Sequence, residues 1–209
     1  EFISLANEGL PLATLPALNY LGNRGIIKED IVRWKIGCCM NGEYNNRIII
    51  PSFDEEGYVN YFVARTFNGA WKKYLNPQAS KDIIFNELYL DFDEELIIVE
   101  GIFDAIIAGP NAVPILGSTL RENSKLFQMI VKNDTPTYIG LDIDAENKSK
   151  KIIKDLLNYG IEVYKIDTSG YDDIGSMTKE EFSKRKNEAA LYDSNDYLLY
   201  EAIGEIKWS

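Results

Sequence analysis

Short apolar runs that end in acids set the rhythm of the second half of this chain. Leu96-Ile97-Ile98-Val99 leads into Glu100-Gly101, and the run from Thr137 to Leu141 leads into Asp142-Ile143-Asp144. An unbroken apolar run of four or five residues reads as a strand buried on both faces, the habit of parallel sheets. From Leu96 onward, strand and helix patterns alternate. Strands fall at 96–100, 112–116, 137–142 and 161–166, with helices at 103–108, from 119 to about 131, and 145–159. Gly109-Pro110 and Gly160 supply two of the stops. This order predicts an α/β unit with a four-stranded, mostly parallel sheet. Residues 178–207 read as one or two helices with Glu180, Glu181, Lys184 and Arg185 in solvent.

The first half has a different pattern. Residues 1–45 read as helical, with Leu15, Leu18, Tyr20 and Leu21 ahead of a turn at Gly22-Asn23-Arg24-Gly25, then a short helix at 28–34. Residues 47–51 and 58–65 flank Asp54-Glu55-Glu56-Gly57, a hairpin signature. Residues 71–75 read as a further strand that Asn76-Pro77 ends. The expected organisation is an α+β N-terminal part over 1–92, the α/β unit over 93–177, and C-terminal helices over 178–209.

Composition narrows the chemistry. The chain of 209 residues is long enough to bury a real core, and no apolar run approaches the roughly 20 residues of a membrane-spanning helix. Residues 1–10 lack the basic start and apolar centre of a secretory signal. The two cysteines, Cys38 and Cys39, are adjacent and there is no histidine. That excludes an ordinary structural disulfide between them, His-based triads and a structural zinc site built from this chain alone, and it fits a cytoplasmic protein. Net charge is −11, but it is unevenly spread. Residues 1–90 hold nine Lys and Arg against ten Asp and Glu; the remainder holds thirteen against twenty-three.

The acids sit where open α/β sheets place their ligands, at the C-terminal ends of strands. Glu100 is followed by a glycine that allows close backbone approach, and Asp104 falls on the first turn of the next helix. Asp142 and Asp144 are two apart, so in an extended segment both face one side. Asp172 and Asp173, and less directly Asp167, follow the last strand at the same sheet edge. Carboxylates gathered so closely resist ionising unless a hard cation with oxygen ligands sits among them. The expected metal ligands are Glu100, Asp142, Asp144, Asp172 and Asp173, the cation is Mg2+ or Mn2+, and the chemistry is phosphate chemistry.

Val99-Glu100-Gly101, Asp104-Ala105 and the Asp142-x-Asp144 pair together resemble the TOPRIM domain shared by DnaG-type primases, topoisomerases and some nucleases. The upstream motifs narrow the resemblance to the RNA polymerase domain of DnaG-type primases, of the kind found in phages. Tyr20-Leu21-Gly22-Asn23-Arg24-Gly25-Ile26, Arg47 to Pro51 with Asp54 and Gly57, Val63-Ala64-Arg65, Lys73-Tyr74-Leu75-Asn76 and Asn111 to Leu120 are similar to its motifs in order and spacing. The later stretch Asp173-Ile174-Gly175-Ser176-Met177-Thr178 is similar to a separate motif in the version found in phage primases. Val63-Ala64 departs from the family's paired glycines, and Phe85-Asn86-Glu87 lacks a basic residue expected there.

The resemblance implies a DNA-dependent RNA primase core that joins ribonucleoside triphosphates on a single-stranded DNA template. Glu100, Asp104, Asp142 and Asp144 would be catalytic, while Arg24, Arg47, Arg65, Lys73 and Asn76 would hold nucleotide or DNA. It also implies a separate zinc-binding module and a replicative helicase met through regions outside these residues, with no membrane. Phe67, Trp71 and Tyr74 could stack on bases, although core packing is the commoner use of such aromatics. Two other readings remain open at this point: a TOPRIM-type metal-dependent nuclease, and a non-catalytic DNA-binding module of a replication protein.

Overall fold

The apolar stretch around Ile48-Ile49-Ile50 finds its partner in the next strand, as the turn residues between them predict. In a computed structural model of the chain, which describes residues 1–117 and 119–192, the chain divides into two units, Glu1–Tyr89 and Leu90–Ser209. The first unit holds an antiparallel sheet of β1 (Phe2–Ser4), β2 (Gly37–Cys39), β3 (Arg47–Phe53) and β4 (Val59–Thr66), in that spatial order. Two short helices, α1 (Leu15–Gly22) and α2 (Lys28–Arg33), lie between β1 and β2 in sequence. Asp54 makes the β3–β4 turn by accepting hydrogen bonds from the Glu56 and Tyr58 amides at 3.1 and 2.8 Å. Gly57 takes φ +88° there, a value that disfavours any side chain.

Two expectations for this unit need correction. Residues 1–45 are not wholly helical, because Phe2–Ser4 and Gly37–Cys39 are strands that extend the sheet. Three-residue strands are too short for a period of two to show in sequence, and they exist here because β3 offers a free edge. Residues 71–75 form no strand but a single bridge, Arg65 to Tyr74. The chain is tied down there by Thr66 N–H to the Lys73 carbonyl and Leu75 N–H to the Ala64 carbonyl, each 3.0 Å.

Gly37 lets β1 approach β2. A Cβ at that position would stand 2.6 Å from the Ile3 carbonyl oxygen and closer still to the Phe2 ring. Gly37→Ala is therefore expected to destabilise the protein by about 1–3 kcal/mol through local overpacking, read as a lower urea midpoint with an unchanged slope.

The second unit carries a five-stranded sheet in the order β6 (Ala112–Pro114), β5 (Leu96–Val99), β7 (Thr137–Gly140), β8 (Val163–Lys165), β9 (Ala190–Tyr192). The first four strands are parallel, with helices α3 (Ile102–Ala108), α4 (Lys125–Asn133) and α5 (Glu146–Asn158) between them in sequence. All four residues of β5 are buried. Each large aliphatic side chain so placed contributes about 1.5–3 kcal/mol. Beyond α6 (Lys179–Asn187), whose Thr178 cap accepts the Glu181 amide, the chain turns back as β9 and pairs antiparallel with β8. The expected run of helices from 178 is thus a helix and a strand as far as 192, and its remainder lies outside the described residues. No helix among the described residues is long and apolar enough to cross a membrane.

Candidate functional site

The parallel register fixes where the acids go. Val99 of β5 pairs with Gly140 of β7, so both strands end at one edge of the sheet. Glu100 follows β5 directly, and Asp142 follows β7 by one residue, as the cap of the short turn Ile143–Ala145. After β8 the chain returns to the same edge in the turn Ile174–Ser176, capped by Asp173. Gly140 makes room for this return. A Cβ on Gly140 would lie 2.6 Å from Ile174 Cδ1, so the isoleucine occupies the place a side chain would take.

Asp142 is the electrostatic centre of the group. Burial pushes its carboxyl up to about 6, and the negative charges of Glu100, Asp173 and Asp144 push the same way, while Lys148 pulls it back. Its Oδ1 is buried and has no hydrogen-bond partner. Glu100 is answered by Lys148, whose Nζ donates to Oε1 at 2.8 Å and to Oε2 at 3.0 Å. Asp104 lies deeper. Its Oδ2 accepts the Gly101 amide at 2.7 Å and its Oδ1 accepts the Gly175 amide at 2.8 Å. Burial nevertheless lifts it to about 7 against those two hydrogen bonds, with Asp173 and Asp142 adding to the rise.

The structure thus brings Glu100, Asp104, Asp142, Asp144 and Asp173 together and assigns them unequal parts. Asp104 spends both oxygens on backbone amides, so it joins the Glu100-Gly101 turn to the Asp173–Gly175 turn. Asp172 is exposed, and the field felt by Asp104 and Asp142 comes from Asp173 instead. Asp167 is exposed and turned to its own loop, where it accepts the Ser169 amide and hydroxyl, each at 2.9 Å.

Among the described residues, no three Asp, Glu or Cys side chains already stand at the spacing that grips a metal ion. The donor set still fits one. Hard carboxylate oxygens predominate, one buried oxygen has no partner, and an ammonium sits on the glutamate as a cation would. Glu100, Asp142, Asp144 and Asp173 are the residues that would hold it.

The first unit gathers cations around a phenol. Arg24 Nε and Arg65 Nε both donate to the Tyr20 hydroxyl, at 3.0 and 2.8 Å. The Arg65 guanidinium also lies over the Tyr74 ring, 4.8 Å from its centroid. Lys73 is exposed. Arg47, by contrast, is buried and donates to the carbonyls of Lys72 (2.9 Å) and Lys73 (3.3 Å). Asn76 accepts the Ala64 amide through Oδ1 at 3.1 Å. The geometry therefore engages Arg47 and Asn76 in holding the 72–76 segment against β4, a task distinct from gripping a phosphate.

No family model matches the chain. A curated DNA primase of Thermotoga maritima is 25% identical over 173 residues, which cover 75% of this chain and 31% of that protein. A solved DnaG primase catalytic domain bound to single-stranded DNA superposes with a TM-score of 0.77 at 18% identity, covering 94% of this chain and 78% of that one. The Aquifex aeolicus primase, with its zinc-binding and RNA polymerase domains, gives 0.69 at 23% identity over 84% of this chain and 56% of that one. The fold is that of the DnaG primase catalytic core.

The chain spans about a third of the length of the curated primase it matches. Within the primase fold, the structure gives parts to two residues to which the sequence reading assigned no role. Lys148 carries a readable signal, since it lies one helical turn beyond Asp144 and so on the same face. Gly175 carries a weaker one. A Cβ there would meet Asp104 Oδ1 at 2.9 Å and Phe103 Cβ at 3.3 Å, a constraint that only the folded packing shows.

Proposed function

We propose that this chain is the RNA polymerase core of a DnaG-type primase, making short RNA primers on single-stranded DNA. In this reading the 3′-hydroxyl of one ribonucleotide attacks the α-phosphate of the next, an O–P bond forms, and pyrophosphate leaves. A divalent ion, Mg2+ or Mn2+, would supply positive charge to the reacting oxygens. Glu100, Asp142, Asp144 and Asp173 would hold it, and Asp104 would keep their two turns in register. Arg24, Arg65 and Lys73 would hold the template backbone as charge-assisted phosphate contacts. Residues 93–177 then serve as the TOPRIM metal-binding subdomain, between an N-terminal subdomain over 1–92 and the C-terminal segment over 178–209.

One observation carries the reading: a buried, partnerless oxygen of Asp142 among like charges, at the C-terminal edge of a parallel sheet in the primase fold. The same reading supplies a phage-type primase working in the cytoplasm, with a zinc-binding module and a replicative helicase as partners. The test is incorporation of labelled ribonucleotides on single-stranded DNA with Mg2+ or Mn2+, with a primase zinc module added in trans. Wild type should make primers, and Glu100→Gln should make at least roughly a hundred-fold less, because it removes a charge that matters at the reacting phosphate. Primer synthesis undiminished in that variant would overturn the reading. Metal-dependent plasmid nicking without nucleotides would point to a nuclease instead.

A further inference from the structure

A single tryptophan stands apart from every other aromatic residue of the first unit. Trp71 is 98% exposed, whereas Trp34 is 4% exposed and packed in the core. Leaving so large an apolar ring in water gives up a few kcal/mol that burial would return. Its neighbours in sequence are Lys72 and Lys73, both exposed, and among the described residues neither ammonium has an ion-pair or hydrogen-bond partner.

The segment is held firmly from behind. Buried Arg47 grips the carbonyls of Lys72 and Lys73, the Thr66 amide donates to the Lys73 carbonyl, and Tyr74 bridges to Arg65. Backbone that is fixed in this way presents its side chains without a large ordering cost on binding. The local charge is also unlike the rest of the molecule. In a chain of net charge −11, residues 58–80 contain Arg65, Lys72 and Lys73 and no Asp or Glu at all.

We propose that Trp71 stacks on a base of single-stranded DNA while Lys72 and Lys73 take the flanking phosphates. A fully exposed ring beside unpaired ammoniums, in an acid-free stretch, fits a ligand that alternates flat apolar faces with negative charge. A single strand offers both; a duplex hides its bases. This inference rests on the template-binding role proposed above and adds Trp71 to it.

Tryptophan emission and fluorescence anisotropy of the full chain test it, with dT oligonucleotides and with an abasic oligonucleotide of the same length. Oligo(dT) should quench the emission of wild type and leave that of Trp71→Phe with a much smaller change, and the abasic strand should not quench. Trp71→Ala should weaken binding roughly ten-fold. Lys72→Gln with Lys73→Gln should lower the slope of log affinity against log salt by about 1.4, or 0.7 per single-strand phosphate contact. Equal quenching by the abasic strand, or an unchanged affinity in Trp71→Ala, would overturn the proposal even while primers are still made. Failure of wild type both to bind single-stranded DNA and to make primers would defeat the template-binding reading itself, and this proposal with it.

Discussion

Asp142→Asn is expected to move function and stability in opposite directions. The substitution keeps the shape of the side chain and removes its charge, so metal-dependent primer synthesis should fall by at least roughly a hundred-fold, as for other charge deletions at a reacting phosphate. The metal-free protein should at the same time become more stable at pH 8. Asp142 is held at about 6 by burial and by Glu100, Asp173 and Asp144. A carboxyl raised above its unfolded value binds more protons folded than unfolded across that interval, so its ionisation costs stability as pH rises from about 4 to about 6. Removing it should return about 1–2 kcal/mol at pH 8, after allowance for solvent screening. The gain should vanish below about pH 4, where the carboxyl is protonated in both states. Thermal unfolding of wild type and variant at pH 3.5 and pH 8, without divalent ions, reads this directly. Calorimetric Mn2+ titrations should show wild-type affinity rising as pH climbs through about 6, since a proton competes for the same oxygens.

Asp104→Ala is expected to do structural damage of a different kind. The carboxylate accepts amides from Gly101 and Gly175, and Asp104 is buried. Alanine would leave two amides without acceptors at about 1–3 kcal/mol each, so a total loss of about 2–6 kcal/mol is expected. Asparagine should rescue little, because its amide nitrogen would face one of the two N–H donors. Urea unfolding gives the stability. Divalent-ion affinity measured well below the unfolding midpoint gives the second readout. It should fall in both variants, since Asp173 rides on the turn that Asp104 anchors. A stable Asp104→Ala protein with wild-type metal affinity would show that the two turns hold their positions without it.

These residues also show what could be read before the fold was known. Glu100 and Asp142 were legible because a buried parallel strand is a run of four apolar residues, and the acid after it must emerge at the sheet edge. The β3–β4 hairpin was legible from Asp54 and Gly57, whose turn chemistry is local. Phe2–Ser4 and Gly37–Cys39 were not, because a three-residue strand is defined by the neighbour it joins. The same holds for Ala190–Tyr192, which exists as a strand because β8 presents an open edge. Asp104 read as one more catalytic acid, since nothing in its own neighbourhood announces an amide from Gly175. Arg47 likewise looked like a phosphate contact, and only the packed hairpin shows its guanidinium turned inward onto carbonyls. Charge can be counted along a chain, but its partners are fixed by tertiary packing.

The Tyr20 hydroxyl, which receives a hydrogen bond from Arg24 and another from Arg65, has a consequence of its own. One small oxygen draws two like charges toward a common point and fixes the gap between them. The mutual repulsion of the two guanidiniums is incurred when the unit folds. Tyr20→Phe should therefore release both guanidiniums at once, since it removes the acceptor they share.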